Sequence, residues 1–582
     1  MDMLREIAKK IMSKGTAATA SGLVESYTRL YHGLPDGLDR IYIDQLVPHH
    51  CRLESSLHKT AGSEQVNLSA FIYSAQRLPD CISRVDRVVI GSTEKLFEEY
   101  GFNEVLDWPR VDAPSRRRRS HYDGRGSLGI FVTSVSDLDD LLPVLCAYQI
   151  EWNKMHQRLS RSELGEELAA GRIPASKVGD TIRQIIGLSV QDWDMFGRVW
   201  QSGWDEKISL LAAGQKQIII ERLPLRRLDC QSSAAQWLQD VLKYFKDRHL
   251  DERPVYLISS NNHSIANLVS GYVSHHLDDL SSDLMKRSTG ETRRYLQRLR
   301  NENEAIRMNL CYHALRDYLE EHPEQRKEKV AMEESAGLWR YTPDHLLHLE
   351  AQVLDVCHIN PDRLDPRLPR HNLEKLKHSN ALILNLDYPL GYAAYHILRE
   401  IFAQIRNLQG VFIQGKSAAM IGRLGDIMIP TEVRDSHSGT HYHFSNCFTA
   451  RHVVPFLDNA AVFDDQRSIT VRGTFLHSWE TVKDLHRVDF TGIEMEAGPY
   501  LTAIDESFPR FAVSAGAHSI HLKPPPGFHI GLLHYTSDTP YNVRASLLSS
   551  SLGLTGLEAT YACSLSILRF IMDQEIKKCL HL

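Results

Sequence analysis

Phe490-Thr-Gly-Ile-Glu-Met-Glu-Ala-Gly-Pro-Tyr500 reads as a short strand, Gly492 to Met495, running into a turn and then a helix. The strand ends in Glu494-Met495-Glu496, which brings two carboxylates and a thioether to the edge of a sheet. Open α/β sheets bind ligands there, outside the carboxyl ends of their strands. Because alternate strand residues share a face, Glu494 and Glu496 are expected to point the same way.

Around this stretch, residues 371–582 alternate strands and helices. Strands are expected at Ala381–Leu386, Gly410–Gln414, Asp426–Ile429, Ile469–Arg472, Ile493–Met495 and Ile530–His534, with a closing helix from Ala559 to Lys577. Such alternation predicts a layered α/β sandwich. Upstream, Pro361 to Arg370 carries three prolines in ten residues and reads as a domain boundary. Residues 159–370 read as a helical and α/β middle domain, with strands at Gln217–Glu221 and Val255–Ser259 flanking a helix from about Ser232 to Arg248. That alternation predicts a βαβ-like unit.

Residues 1–158 read as mainly helical. Met3, Leu4, Ile7, Ala8, Ile11 and Met12 recur at helical spacing, as do Leu138, Leu141, Leu142, Leu145, Tyr148 and Trp152. Trp193, Phe196, Trp200 and Trp204 form a further stripe, expected to be core packing. Pro114 to Gly126, with Arg116 to Arg119 in a row, reads as a solvated polar loop; its alternative role is binding a nucleotide phosphate.

Composition bounds the function classes. With 582 residues, two to four domains are expected. A net charge of −6 favours neither nucleic acid nor a membrane surface. No apolar run approaches the ~18 residues of a membrane helix. The nine cysteines are scattered, which suits free thiols in a reducing cytoplasm.

Four segments after strands carry candidate chemistry: Gly415–Ala419, Gly473-Thr474-Phe475, Glu494-Met495-Glu496 and Thr536-Ser537-Asp538-Thr539-Pro540. Their residue types suit cleavage of an N-glycosidic bond. An acid such as Asp538 that protonates purine N7 improves the leaving group, with Ser537 beside it to orient it. A carboxylate such as Glu496 that accepts hydrogen bonds from ribose hydroxyls favours developing positive charge, and Met495 offers an apolar floor.

In order and spacing these motifs resemble the nucleoside phosphorylase/nucleosidase superfamily, with AMP nucleosidases nearest, from about residue 378 onward. Gly415-Lys-Ser-Ala-Ala419 is similar to the family's Gly-x-Cys/Ser-Gly loop, and Gly425-Asp426 to the Gly-Asp after it. Arg434-Asp435-x-His437, Met495-Glu496 and Ser537-Asp538-x-Pro540 match motifs that follow. The sequence departs from the family in having Ala418 for the usual Gly, Lys416 where many members have Ser or His, and Pro499-Tyr500 after Met-Glu. No counterpart stands out for the water-activating glutamate of methylthioadenosine nucleosidases. The resemblance implies a three-layer α/β sandwich of nucleoside phosphorylase type and a cytoplasmic, cofactor-free, homo-oligomeric hydrolase of purine nucleotides or nucleosides. Asp538 and Glu496 are then catalytic. Met495, Glu494, Phe475 (bordering the base), Ser537, Lys416, Ser417 and Arg434 are then substrate-binding. The alternatives are a purine nucleoside phosphorylase and a non-catalytic nucleotide sensor. Asp435, His437, His441 and His443 have the density of a metal cluster, yet the family motif accounts for half of them, so no metal is expected. His49, His50, Cys51 and His58 are expected on a helix surface.

Overall fold

A computed structural model describes residues 22–580 apart from 34–36, 201–202, most of 289–303, 345, 509–517 and 541–553. The helix expected over Met3–Met12 lies outside the described residues. The first six strands are β1 (Asp39–Tyr42), β2 (Arg87–Gly91), β3 (Arg110–Ala113), β4 (Arg116–Tyr122), β5 (Ser127–Phe131) and β6 (Ile219–Arg222), in the order β1-β6-β2-β5-β4-β3. The central run Val88-Val89-Ile90 is buried and pairs in parallel with both β5 and β6. Such continuous apolar runs mark strands covered on both faces.

Two expectations are corrected here. The N-terminal region is α/β rather than mainly helical. The arginine run is strand β4, not a solvated loop, and each arginine meets a carboxylate: Arg116 and Arg118 at Asp140, Arg117 at Asp387, Arg119 at Glu94. Helices α1 (Ile43–Leu53), α2 (Leu68–Ala75) and α3 (Val135–Leu159) pack on this sheet. The tryptophan stripe joins the same core, Phe196 and Trp200 with ring centroids 4.6 Å apart.

Among the described residues, the second sheet has 11 strands. They are β7 (Val255–Ser260), β8 (Leu338–Tyr341), β9 (Ala351–Asp355), β10 (Leu382–Asp387), β11 (Leu408–Ala419), β12 (Ile427–Asp435), β13 (His441–His443), β14 (Val462–Thr470), β15 (Gly492–Glu494), β16 (Ser519–His521) and β17 (His529–Asp538). β10, β7, β11 and β17 run parallel, side by side. β17 also pairs with β12, so the sheet curls back on itself. Along β7 the residues alternate between two cores. Val255 and Leu257 face α4 (Arg227–Tyr244), α5 (Ala393–Gln404) and α6 (Ala497–Ser507). Tyr256 and Ile258 face α7 (Leu554–Leu580). The result is a three-layer α/β sandwich.

The expected βαβ unit is therefore split, since β6 belongs to the first sheet and β7 to the second. The proline-rich segment is no boundary either. Leu364 and Leu368 sit in the second sheet's core, and the Asp365 amide bonds the Leu268 carbonyl at 2.8 Å. The two sheets share a packed interface, with Phe475 and Leu476 inserted into the first sheet's core. Among the described residues, no helix is long and apolar enough to cross a membrane.

Candidate active site

Strand β15 stops at Glu494, and Glu496 takes right-handed helical geometry (φ −120°, ψ −28°) as the residue capping α6. The alternation expected along this stretch ends there, so the two glutamates part company. Glu494 is 4% exposed. Its carboxylate accepts the amides of Glu496 and Ala497, each at 2.7 Å, and the Thr470 hydroxyl. Thr470 Oγ1 in turn accepts the Gly498 amide at 2.8 Å. Glu494 thus anchors the start of α6, which corrects its reading as a substrate contact.

Glu496 accepts the Gly391 amide at 3.3 Å. It keeps some solvent contact although protein crowds it on every side, as a group on a cleft floor does. Burial, then the neighbouring Glu494 charge, pushes its carboxyl up to about 8; the Gly391 hydrogen bond and Arg116 pull the other way.

Lys416 and Asp538 come together through strand register. β11 does not end in a loop at Gly415, as expected, but continues to Ala419. Lys416 pairs with Tyr535, Ser417 with Thr536 and Ala418 with Asp538; Ser537 is the extra residue of a bulge. Lys416 and Ala418 share a face, and Asp538 lies on it beside Ala418. The Asp538 carboxylate accepts the Thr539 amide at 2.8 Å. Lys416 is open to solvent within a crowded cleft. Burial lowers its pKa first, then Arg77 and Arg116, against the opposing pull of Asp538. Met495 is half-buried against the small core that contains Met420, Ile469 and Ile493.

Arg77 and Arg116 come from the first sheet's half and complete the charged cleft. Arg116 makes hydrogen bonds of 2.8 and 2.7 Å to the Asp140 carboxylate. Burial works against its charge, and Asp140 more than compensates. The Arg77 guanidinium lies 3.2 Å from the Tyr73 ring centroid, and its Nη1 donates to the Tyr73 carbonyl at 2.9 Å. Its Nε is buried with no hydrogen-bond partner among the described residues. Burial lowers the Arg77 pKa to about 10. Arg116 stands in a visible arginine run; Arg77, a lone arginine after a helix, carries no sequence signal.

Three other expected contacts are corrected. Ser417 is 2% exposed and spends its hydroxyl on the Ile493 carbonyl at 3.2 Å. Phe475 is 1% exposed in the first sheet's core, its ring 5.3 Å from Tyr73 and 5.6 Å from His50, so no face is left for a base. Arg434 is exposed on β12, in a row that runs through Ile469 and Ile493 to Ala418. Three strand spacings put it roughly 14 Å from Ala418.

The four residues of metal-like density divide between the faces of β12. Asp435 and His437 bond each other at 2.9 Å on one face. His441 and His443 stand 3.6 and 3.8 Å from Glu432 on the other, where Arg467 already neutralises that carboxylate. His50 and His58 are buried, not on a helix surface, in a chain from Tyr27 to Glu151 with links of 3.0, 3.0 and 2.7 Å. A cavity of about 200 Å³ is lined by Arg227, Gln231, Tyr395, His396, Arg399 and Glu506, and none of the charged residues above lines it.

No curated protein matches the chain. Among solved structures, the 5′-methylthioadenosine/S-adenosylhomocysteine nucleosidase of Neisseria meningitidis, bound to methylthio-immucillin-A, is 11% identical, covering 55% of this chain and 100% of its own, with a TM-score of 0.29. The Colwellia psychrerythraea nucleosidase bound to adenine is 14% identical over 42% of this chain and 90% of its own, TM-score 0.27. A methylthioadenosine phosphorylase from an antarctic soil metagenomic library is 9% identical over 34% and 73%, TM-score 0.25. A family model matches residues 43–573, which take in every strand of both sheets except β1, and the chain accordingly belongs to the family of unknown function DUF6909.

Proposed function

We propose that the protein hydrolyses the N-glycosidic bond of purine nucleotides, with AMP-like substrates first. The observation that carries the reading is the meeting of Asp538 and Lys416 on one sheet face with Glu496 at a neighbouring strand end, under Arg77 and Arg116. It joins the motif order Gly-x-Ser, Met-Glu and Ser-Asp-x-Pro noted in the sequence.

In this mechanism the C1′–N9 bond breaks and its electrons move into the purine. Asp538, as the neutral acid, gives its proton to N7, so the base leaves neutral. Glu496, as the carboxylate, accepts hydrogen bonds from the ribose hydroxyls and stabilises the positive charge growing on the sugar. Met495 supplies an apolar contact beneath the ring. Water adds to C1′ and releases a proton to solvent, leaving ribose 5-phosphate. Lys416, Arg77 and Arg116 attract the 5′-phosphate; guanidinium and ammonium groups suit that charge.

The test is to incubate purified protein with AMP, adenosine and inosine, with and without phosphate, and to separate the products by chromatography. Free base with ribose 5-phosphate from AMP alone supports hydrolysis. Absolute dependence on phosphate makes the protein a phosphorylase. Nucleotide binding with no base released makes it a sensor.

A further inference from the structure

Ser136, in the first turn of α3, reaches across the interface between the two sheets. Its Oγ lies 3.2 Å from His437 Nε2, and His437 Nδ1 lies 2.9 Å from Asp435 Oδ1. Ser136 and Asp435 are both 0% exposed. Asp435 also accepts the His437 amide at 3.0 Å and the Ser438 hydroxyl at 2.7 Å. Burial opposes its charge, yet these donors, His437 foremost, hold its carboxyl below the ordinary range.

One proton order satisfies every group. With His437 as the Nδ1–H tautomer, Asp435 accepts Nδ1–H and Nε2 is free to accept. Ser136 then donates its hydroxyl proton to Nε2. An Oγ lone pair remains, and it accepts the Tyr392 amide at 2.8 Å. Every donor in the chain has an acceptor.

Serine, histidine and aspartate so placed resemble a nucleophilic triad. Ser136 has no solvent access, however, and its oxygen already takes a backbone amide, so the arrangement offers no attacking group. Its output is the turn at Gly391-Tyr392. Gly391 has φ +53°, and a Cβ there would come within 2.4 Å of Ser136 Oγ, so only glycine fits. The Gly391 amide is the donor to Glu496.

We propose that Ser136 and His437 are positioning residues for Glu496: the chain Asp435–His437–Ser136 fixes the Gly391-Tyr392 turn, and the turn aims the Gly391 amide at the Glu496 carboxylate. The first sheet's half thereby acts on the ribose-holding group, and the catalytic consequence rests on the hydrolase reading.

The test compares Ser136→Ala and His437→Gln with the wild type. In Ser136→Ala, misplacing Glu496 lowers kcat for base release from AMP, on the order of 10²-fold, with KM little changed. His437→Gln, whose side-chain oxygen can stand where Nε2 stood, loses less. A second readout needs no activity: carboxyl ¹³C NMR of protein labelled with δ-¹³C glutamate, with the Glu496 signal assigned by Glu496→Gln. Besides the Gly391 amide, Glu494, Arg116, the Met495 amide and the Tyr500 phenol influence Glu496, and none of them is changed by these variants. Loss of the aimed amide therefore moves the Glu496 titration to higher pH in Ser136→Ala, and His437→Gln moves it less. A Glu496 titration unmoved in both variants, with any loss of kcat matching loss of folded protein by circular dichroism, overturns the proposal. If the wild type releases no base, the hydrolase reading falls while the titration still decides the positioning.

Discussion

Asp140 holds Arg116 through two hydrogen bonds of 2.8 and 2.7 Å and takes Arg118 on the same carboxylate at 2.5 Å. Asp140 and Arg118 are buried, and Arg116 nearly so. Taking away one member of a buried ion network leaves charge without compensation. Asp140→Ala is therefore expected to cost about 3–5 kcal/mol of stability. Urea unfolding followed by circular dichroism measures it. A loss below about 1 kcal/mol, the scale of an exposed pair, would show that the arginines find other partners.

Glu496 predicts a pH dependence of opposite sense for stability and activity. Its ordinary carboxyl value is 4.5 and its folded value about 8. Between those values the native state binds a proton that the unfolded chain does not, so stability falls as pH rises through the window. Glu496→Gln removes that dependence. Its Tm should exceed the wild type's by more at pH 8.5 than at pH 5, because only the wild type carries the buried charge at the higher pH. In the wild type, kcat/KM should rise towards pH 8 as the carboxylate forms, and this limb should vanish in the variant. Equal Tm differences at both pH values would remove the buried charge from the account.

Legibility in the sequence follows locality. The β7 and β10 runs, Val255–Ser260 and Leu382–Asp387, are buried on both faces, so they read as mostly apolar segments without alternation and can be placed nearly to the residue. Strand β4 is illegible because its arginines are balanced by Asp140, Asp387 and Glu94, carboxylates far away in the chain. Local pattern does not separate that from a solvated run. Asp538 and Glu496 can be picked out as chemical groups, but Glu494 is misread because a single helical dihedral at Glu496 ends the period of two. Phe475 is misread for another reason: which half of the protein a segment packs into is not written in the segment. Ser136 and His437, 301 positions apart, have no local pattern to join them.

Under the proposed hydrolase reading, Lys416 and Arg77 are the groups that would separate nucleotide from nucleoside. Neither is expected to touch the reacting bond, so Lys416→Met should raise KM for AMP about tenfold or more while leaving adenosine hydrolysis nearly unchanged, since lost charge-assisted contacts are worth about 1.5–3 kcal/mol each. Steady-state kinetics on the two substrates checks this. Parallel losses on AMP and adenosine would mean that Lys416 shapes the cleft and does not bind the phosphate.

Asp538 is the residue whose replacement discriminates most sharply between enzyme and sensor. It sits at the end of β17, aligned with Ala418 across the bulge at Ser537. In Asp538→Asn the new side chain keeps the size of the old one and a carbonyl acceptor for the Thr539 amide, so the loop should hold its shape. The transferable proton is lost. If Asp538 protonates N7, the substitution should lower kcat about 10²–10⁴-fold, the usual worth of a positioned general acid. Nucleotide binding, measured by calorimetry, should change far less. The loss should also shrink for substrates whose base is already a good leaving group, because these need less proton assistance at N7. A uniform loss across leaving groups, or one matched by lost affinity, would assign Asp538 to binding and leave the proton donor elsewhere in the cleft.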